Sequence, residues 1–141
     1  MLDLPQPIPA LLVHNWTLGY PMTPRTVRLA RLHVHRRLTM WNWPGDIEDA
    51  VLVTSELVAN AVVHGRIPGH ELRLRIAEAD DHLLTIEVSD PVPTFPEVRP
   101  RSLGERGRGL IVVQQLADSL DWFLRAGVGK TVRAQLSGPK D

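Results

Sequence analysis

Thr54-Ser55-Glu56-Leu57-Val58-Ala59-Asn60-Ala61-Val62-Val63-His64-Gly65 places a carboxylate, a carboxamide and an imidazole four residues apart in an otherwise apolar run. Residues four apart stack one above the other on an α-helix, so Glu56, Asn60 and His64 share one face. Upstream, Asp46 stands where an N-cap belongs, and Ile47, Val51, Val58 and Val62 recur at helical spacing as a core stripe. The spacing predicts a helix from there to about His64. An acid and an amide packed beside an apolar stripe are costly to bury unless something pairs with them, which marks this face as a candidate site.

Reading towards the C-terminus, Gly65 to Gly69 with Pro68 forms a turn, and Glu71 to Ala77 alternates Leu72, Leu74 and Ile76 against Arg73 and Arg75 as a half-buried strand. Asp80-Asp81 makes a hairpin turn, and Leu84, Ile86 and Val88 alternate up to Asp90, where the next strand ends. Pro91, Pro93, Pro96 and Pro100 force an extended loop that closes with Gly104-Glu105-Arg106-Gly107-Arg108-Gly109. Leu110, Val113, Gln114 and Ala117 fit a third helix, and Asp121 to Ala126 and Lys130 to Leu136 alternate as two strands around Gly127 to Gly129.

Reading towards the N-terminus, Trp41-Asn42-Trp43-Pro44-Gly45 separates the helix from an earlier one over Pro24 to Leu38. There Val27, Ala30 or Arg31, Val34 and Leu38 keep helical spacing, Thr23 is the expected cap and Pro24 suits the first turn. Residues 10–19, with Val13, Trp16 and Leu18, suggest an edge strand, and residues 1–9, with three prolines, an irregular arm. Helices grouped with hairpin strands, rather than alternating with them, indicate an α+β fold: a two-layer sandwich in which helices cover one face of a mixed or antiparallel sheet. Length supports a single domain over residues 10–141, since 141 residues at 43% hydrophobic content allow one real core.

Composition narrows the function classes. The 16 basic and 16 acidic residues cancel, so no global charge favours nucleic acid or an anionic membrane. There are no cysteines, which removes disulfides, thiolate catalysis and cysteine-ligated metals. No stretch reads as a signal peptide or a bilayer span, and a cytoplasmic protein is expected. His33 and His35 point apart on a helix and make a poor metal pair. Arg25, Arg28, Arg31, Arg36 and Arg37 give the first helix a basic character, either a docking face for an acidic partner or a solvated one.

Three features call for a common explanation: the Glu56/Asn60 face, Asp90 at a strand end, and the glycine-rich loop opening a helix. A purine nucleotide supplies one. Exposed N–H groups at a helix start bind phosphate, glycines let backbone approach it, and Asp90 can accept from the adenine amino group. Asn60 can hold Mg²⁺, an oxygen-seeking ion, against the phosphates, and a carboxylate one turn away can orient a nucleophile. Two weaker readings fall away. Gly127-Val128-Gly129-Lys130-Thr131 imitates the end of a P-loop, but Leu124 stands where the first glycine is required and a strand follows. Trp16, Trp41, Trp43 and Trp122 read as core and hinge aromatics rather than a base-stacking platform.

At this point the sequence resembles the GHKL ATPase superfamily of gyrase, histidine kinases and MutL, with its Bergerat-type ATP-binding fold. It is most similar to the small anti-sigma-factor serine/threonine kinases of the RsbW type. Residues 55–64 resemble the family's N-box, Val88-Ser89-Asp90 its adenine-binding box, Gly107-Arg108-Gly109-Leu110 its second glycine box, and Gly129-Lys130-Thr131 its last motif. The resemblance implies that Asn60 chelates Mg²⁺, that Asp90 recognises adenine, and that Gly107, Arg108, Gly109 and Leu110 belong to the phosphate lid. It further implies that Thr131 supports the adenine end and that Glu56 is the general base towards an acceptor hydroxyl. By the same resemblance the partners are a sigma factor and a STAS-type anti-sigma antagonist, and the protein forms a homodimer. His64 reads more simply as a helix-end residue, and Arg101, Arg106 and Arg108 as lid residues that meet either phosphate or solvent. One departure stands out: after Asp90 the superfamily has glycines, where this chain has Pro91, Val92 and Pro93, a stiffer turn with fewer backbone N–H groups. That departure favours an alternative, a non-catalytic interaction module that binds partners with or without ATP.

Overall fold

The computed structural model describes residues 11–94 and 109–139. The expected N-terminal arm and the lid residues Gly107 and Arg108 lie outside the described residues. Eight elements follow one another: β1 (Leu12–Pro21), α1 (Pro24–Met40), α2 (Ile47–His64), β2 (Glu71–Ala79), β3 (Leu84–Asp90), α3 (Gly109–Leu116), β4 (Ser119–Arg125) and β5 (Gly129–Leu136). They match the expected order. The sheet runs β1-β2-β3-β5-β4, and all four pairings are antiparallel, so the mixed alternative does not apply.

Register follows from the alternation already visible in the sequence. Trp16, Ile76, Ile86, Ala134 and Leu120 line up in one row across the five strands, and Leu18, Leu74, Val88, Val132 and Trp122 in the next. These rows face the helices. α2 lies over the middle of the sheet with Ala50, Val51, Val53, Leu57, Val58, Ala61 and Val62 buried, and α1 and α3 pack on either side of it. The opposite face carries Arg75, Glu87, Arg133 and Asp121 in a single cross-strand row. Arg75 Nη1 meets Glu87 Oε1 at 2.9 Å, and Arg133 Nη2 meets Asp121 Oδ2 at 2.9 Å. Opposite charges placed directly across a ladder let that face remain in water.

Local chemistry sets the element ends. Asp46 caps α2 as expected, its Oδ1 accepting from the Asp49 N–H at 3.0 Å. Thr23 occupies the N-cap position of α1, but its side chain makes no capping bond; instead Thr26 one turn in donates its hydroxyl to the Pro21 carbonyl. The buried stripe of α1 is accordingly Thr26, Ala30, Val34 and Leu38, while Val27 is half-buried and Arg31 exposed. The β2–β3 reversal is longer than Asp80-Asp81 alone. The His82 N–H donates to Ala79 O at 2.9 Å, and His82 itself takes φ 68° to complete a three-residue loop. Glu78, buried near the end of β2, meets His14 Nδ1 with one oxygen and His82 Nδ1 with the other, each at 3.0 Å.

Ile86 is fully buried at the centre of the middle strand, whereas Leu124 on the edge strand β4 is 60% exposed. Ile86→Ala is therefore expected to lower unfolding free energy by about 2–5 kcal/mol. Leu124→Ala should stay within about 0.5 kcal/mol of the parent protein, both read from urea denaturation midpoints.

Candidate functional site

The C-terminal half of α2 runs between two groups of residues brought in by other elements. At one end Glu56 faces the start of α3: its Oε2 lies 2.6 Å from the position a Cβ on Gly109 would take. At the other end Gly65, just past α2, touches Asp90, and a Cβ there would lie 2.4 Å from Asp90 Cγ and 2.6 Å from Oδ2. The nine-residue rise from Glu56 to Gly65 separates these ends by about 13 Å at 1.5 Å per residue. Asn60, one turn on from Glu56 and on its face, lies between them along the axis. The site is thus a helix edge with an acid at each end and a carboxamide in the middle.

Glu56 is half-buried, and burial pushes its carboxyl above the usual glutamate range, partly offset by the Arg31 guanidinium on α1. Neither Glu56 nor Asn60 hydrogen-bonds to another described residue, so both side chains remain open to a ligand. A carboxyl of raised pKa beside a helix start is suited to proton transfer, and a free carboxamide oxygen to a hard cation held by phosphates. Among the described residues no group of three His, Cys, Asp or Glu forms a metal cluster, so any Mg²⁺ here would depend on the ligand for most of its oxygens. That donor set fits a nucleotide-borne Mg²⁺.

Asp90 is engaged on both oxygens. Lys130, directly across from it in the β3–β5 register, donates from Nζ to Oδ1 at 3.0 Å and lies 2.9 Å from Oδ2. The two side chains are 2% and 3% exposed, which makes this a buried ion pair. Two residues on, the Val92 N–H donates to Asp90 Oδ1 at 2.9 Å, closing an Asx turn, and Lys130 Nζ also donates to Val92 O at 2.9 Å. Although Pro91 and Pro93 lack N–H groups, the single amide between them is used. Gly129 is required beside it: its φ is +113°, and a Cβ would lie 2.0 Å from Asp90 O.

The structure brings Glu56 beside Gly109 and Asp90 beside Gly65, at the two ends of this stretch of α2. It does not bring Thr131 there. Thr131 Oγ1 pairs with Ser89 Oγ at 2.8 Å, and both residues are one step along their strands from the Asp90–Lys130 pair, so they face the other side of the sheet. Leu110 is buried in the core and His64 is exposed at the end of α2, while Arg101 and Arg106 join Gly107 and Arg108 outside the described residues. The neighbour of Asp90 that sequence reasoning missed is Lys130. Its place in a false P-loop drew attention away from strand parity, by which Lys130 shares the face of Val132 and hence of Asp90.

Comparisons with known proteins bear on the fold. Residues 20–136 match the histidine kinase-like ATPase domain family. No curated protein matches the chain. Among solved structures, one from Mycobacterium tuberculosis containing RsbU and RsbW domains superposes with a TM-score of 0.67 at 22% identity. That superposition covers 89% of this chain and 32% of the other, and at this identity it speaks for the fold.

The raised pKa of Glu56 carries a stability consequence. The folded protein holds this proton to higher pH than the unfolded chain, so between the ordinary glutamate pKa and the folded one the native state binds more protons. Stability contributed by this group is full below the unfolded pKa and falls as pH rises through the folded one. Glu56→Gln should flatten that fall and raise stability at neutral pH, measured by urea denaturation from mildly acidic to neutral conditions.

Proposed function

Since the chain belongs to the histidine kinase-like ATPase domain family, we propose that it binds Mg–ATP along the outer edge of α2 and transfers the γ-phosphate to a serine or threonine of a partner protein. The observation that carries this reading is the open Glu56 carboxyl at the start of α3, one helical turn from the open carboxamide of Asn60.

Asp90 receives the adenine amino group at the far end of the edge, and Asn60 contributes an oxygen to Mg²⁺. Mg²⁺, when bound, neutralises charge on the phosphate oxygens. Glu56 orients the acceptor hydroxyl and takes its proton as the oxygen attacks the γ-phosphorus, and the bond to the β–γ bridging oxygen breaks to leave ADP. Burial raises its pKa, which makes the carboxylate a stronger base than an exposed glutamate. The regulatory setting we propose is that of an anti-sigma-factor kinase, which holds a sigma factor and phosphorylates a STAS-type antagonist. No helix among the described residues is long and apolar enough to cross a membrane, in keeping with a partner in the cytoplasm.

A second reading has its own support. The stiff Pro91–Pro93 turn and the closure of Lys130 on Asp90 suit a module that docks partners without turning ATP over. Calorimetric titration with a non-hydrolysable ATP analogue separates the possibilities in stages. The parent protein is expected to bind it in a Mg²⁺-dependent way, and Asn60→Ala to lose the Mg²⁺-dependent part. Glu56→Ala is expected to keep binding while phosphorylation of an acceptor protein drops by about 10²–10⁴-fold. Parent protein that binds the analogue and phosphorylates no acceptor would leave the docking module standing; failure to bind at all would remove the nucleotide site.

A further inference from the structure

Lys130 has no part in the chemistry described above, yet it is among the most deeply buried charged residues of the chain, at 2% exposure. A lysine is seldom sealed from water unless its charge is met, because removing an ammonium from solvent costs several kcal/mol. Here it is met twice. Nζ donates to Asp90 Oδ1 at 3.0 Å and to Val92 O at 2.9 Å, and Oδ2 lies 2.9 Å away. The ammonium therefore donates two hydrogen bonds within the protein and also lies in ion-pair contact with the second carboxylate oxygen. Asp90 is differently placed. Oδ1 accepts from both Lys130 and the Val92 N–H, whereas Oδ2 has only Lys130 beside it among the described residues and lies against the bare Cα of Gly65.

We infer that Lys130 is a positioning residue for base recognition: it holds the Asp90 carboxyl in one orientation, with Oδ2 set to accept, and it ties the Pro91–Pro93 turn to β5 through Val92 O. The inference rests on the nucleotide reading above. Without Nζ beside it the Asp90 carboxyl is no longer held in one orientation and the Val92 carbonyl loses its tie to β5, so neither oxygen is fixed where a base amine can meet it and the gain from pairing that amine is lost. With Lys130 in place the site offers an acceptor and no donor, so a purine with a 6-amino group is paired and one with a 6-oxo group is left with an unmatched carbonyl. Lys130 thus replaces the conformational restraint that glycines after Asp90 would leave loose, and sets the base preference without touching the base.

The test is competition between ATP and inosine triphosphate, which differ at the 6-position. Parent protein should prefer ATP by about tenfold or more, and Lys130→Met should bring that preference below about threefold. If Lys130 were only structural, both nucleotides would weaken together and their ratio would persist, which would overturn the inference. Parent protein that binds both nucleotides equally would overturn it as well, while leaving nucleotide binding intact. Parent protein that binds neither would instead defeat the nucleotide reading itself. Should Lys130→Met fail to fold, parent protein carrying ¹⁵N-lysine decides the matter. The Lys130 ammonium signal is expected to shift on addition of ATP and to stay in place with inorganic tripolyphosphate, and an ammonium indifferent to both would sink the proposal.

Discussion

One face of a five-stranded antiparallel sheet must be kept from water, and α2 is the element that does it. Its apolar stripe fills the rows built by Leu72, Leu74, Ile76, Ile86, Val88, Val132 and Ala134, and α1 and α3 close in on its flanks. Burying that much apolar surface is the main favourable term of the fold. The same packing fixes the helix in rotation and along its axis. The edge of α2 that is not needed for the core is thereby held over the ends of β3 and β5 and beside the start of α3. Glu56 and Asn60 owe their positions to Val53, Leu57, Val58 and Ala61 on the adjoining face.

A buried ion pair occupies the point where this layer meets the end of the sheet. Such a pair is poor evidence for stability, because desolvating both charges offsets most of their attraction. What Asp90 and Lys130 gain from each other is direction. The pair joins β3 to β5 at their ends, and through the Val92 carbonyl and amide it also holds a loop whose prolines supply little hydrogen bonding of their own. Gly65 and Gly129 make room for it on two sides. An acid that on the surface would rotate freely is here locked in one orientation.

The two ends of the edge differ in environment. Asp90 lies beside a cation in the interior. Glu56 is half-buried, holds its proton to higher pH, and has Arg31 as a more distant neighbour on a mostly solvated helix face. The two carboxyls therefore sit in different electrostatic surroundings, one in a buried ion pair and one half-buried with its pKa raised by burial. The difference arises from their elements: Glu56 stands on α2, Asp90 at the end of β3 opposite Lys130 of β5.

Much of this was legible in the chain itself. Period-two alternation located β2 and β3, helical spacing located α2, and the Glu56/Asn60 interval named the working face, because each is a local pattern that backbone geometry converts directly into a shared surface. Local patterns did less well at ends and partners. Thr23 had the right identity for a cap, yet the helix start is tied instead by Thr26 to Pro21. Thr131 shares its motif with Lys130, yet strand parity turns Thr131 towards Ser89 and sets Lys130 beside Asp90. Sequence alone therefore determined which elements form and which face of each meets water. Only the tertiary structure decided which charge faces which, since the partner of Asp90 lies forty residues away on a strand whose register is set by the packing of the whole sheet.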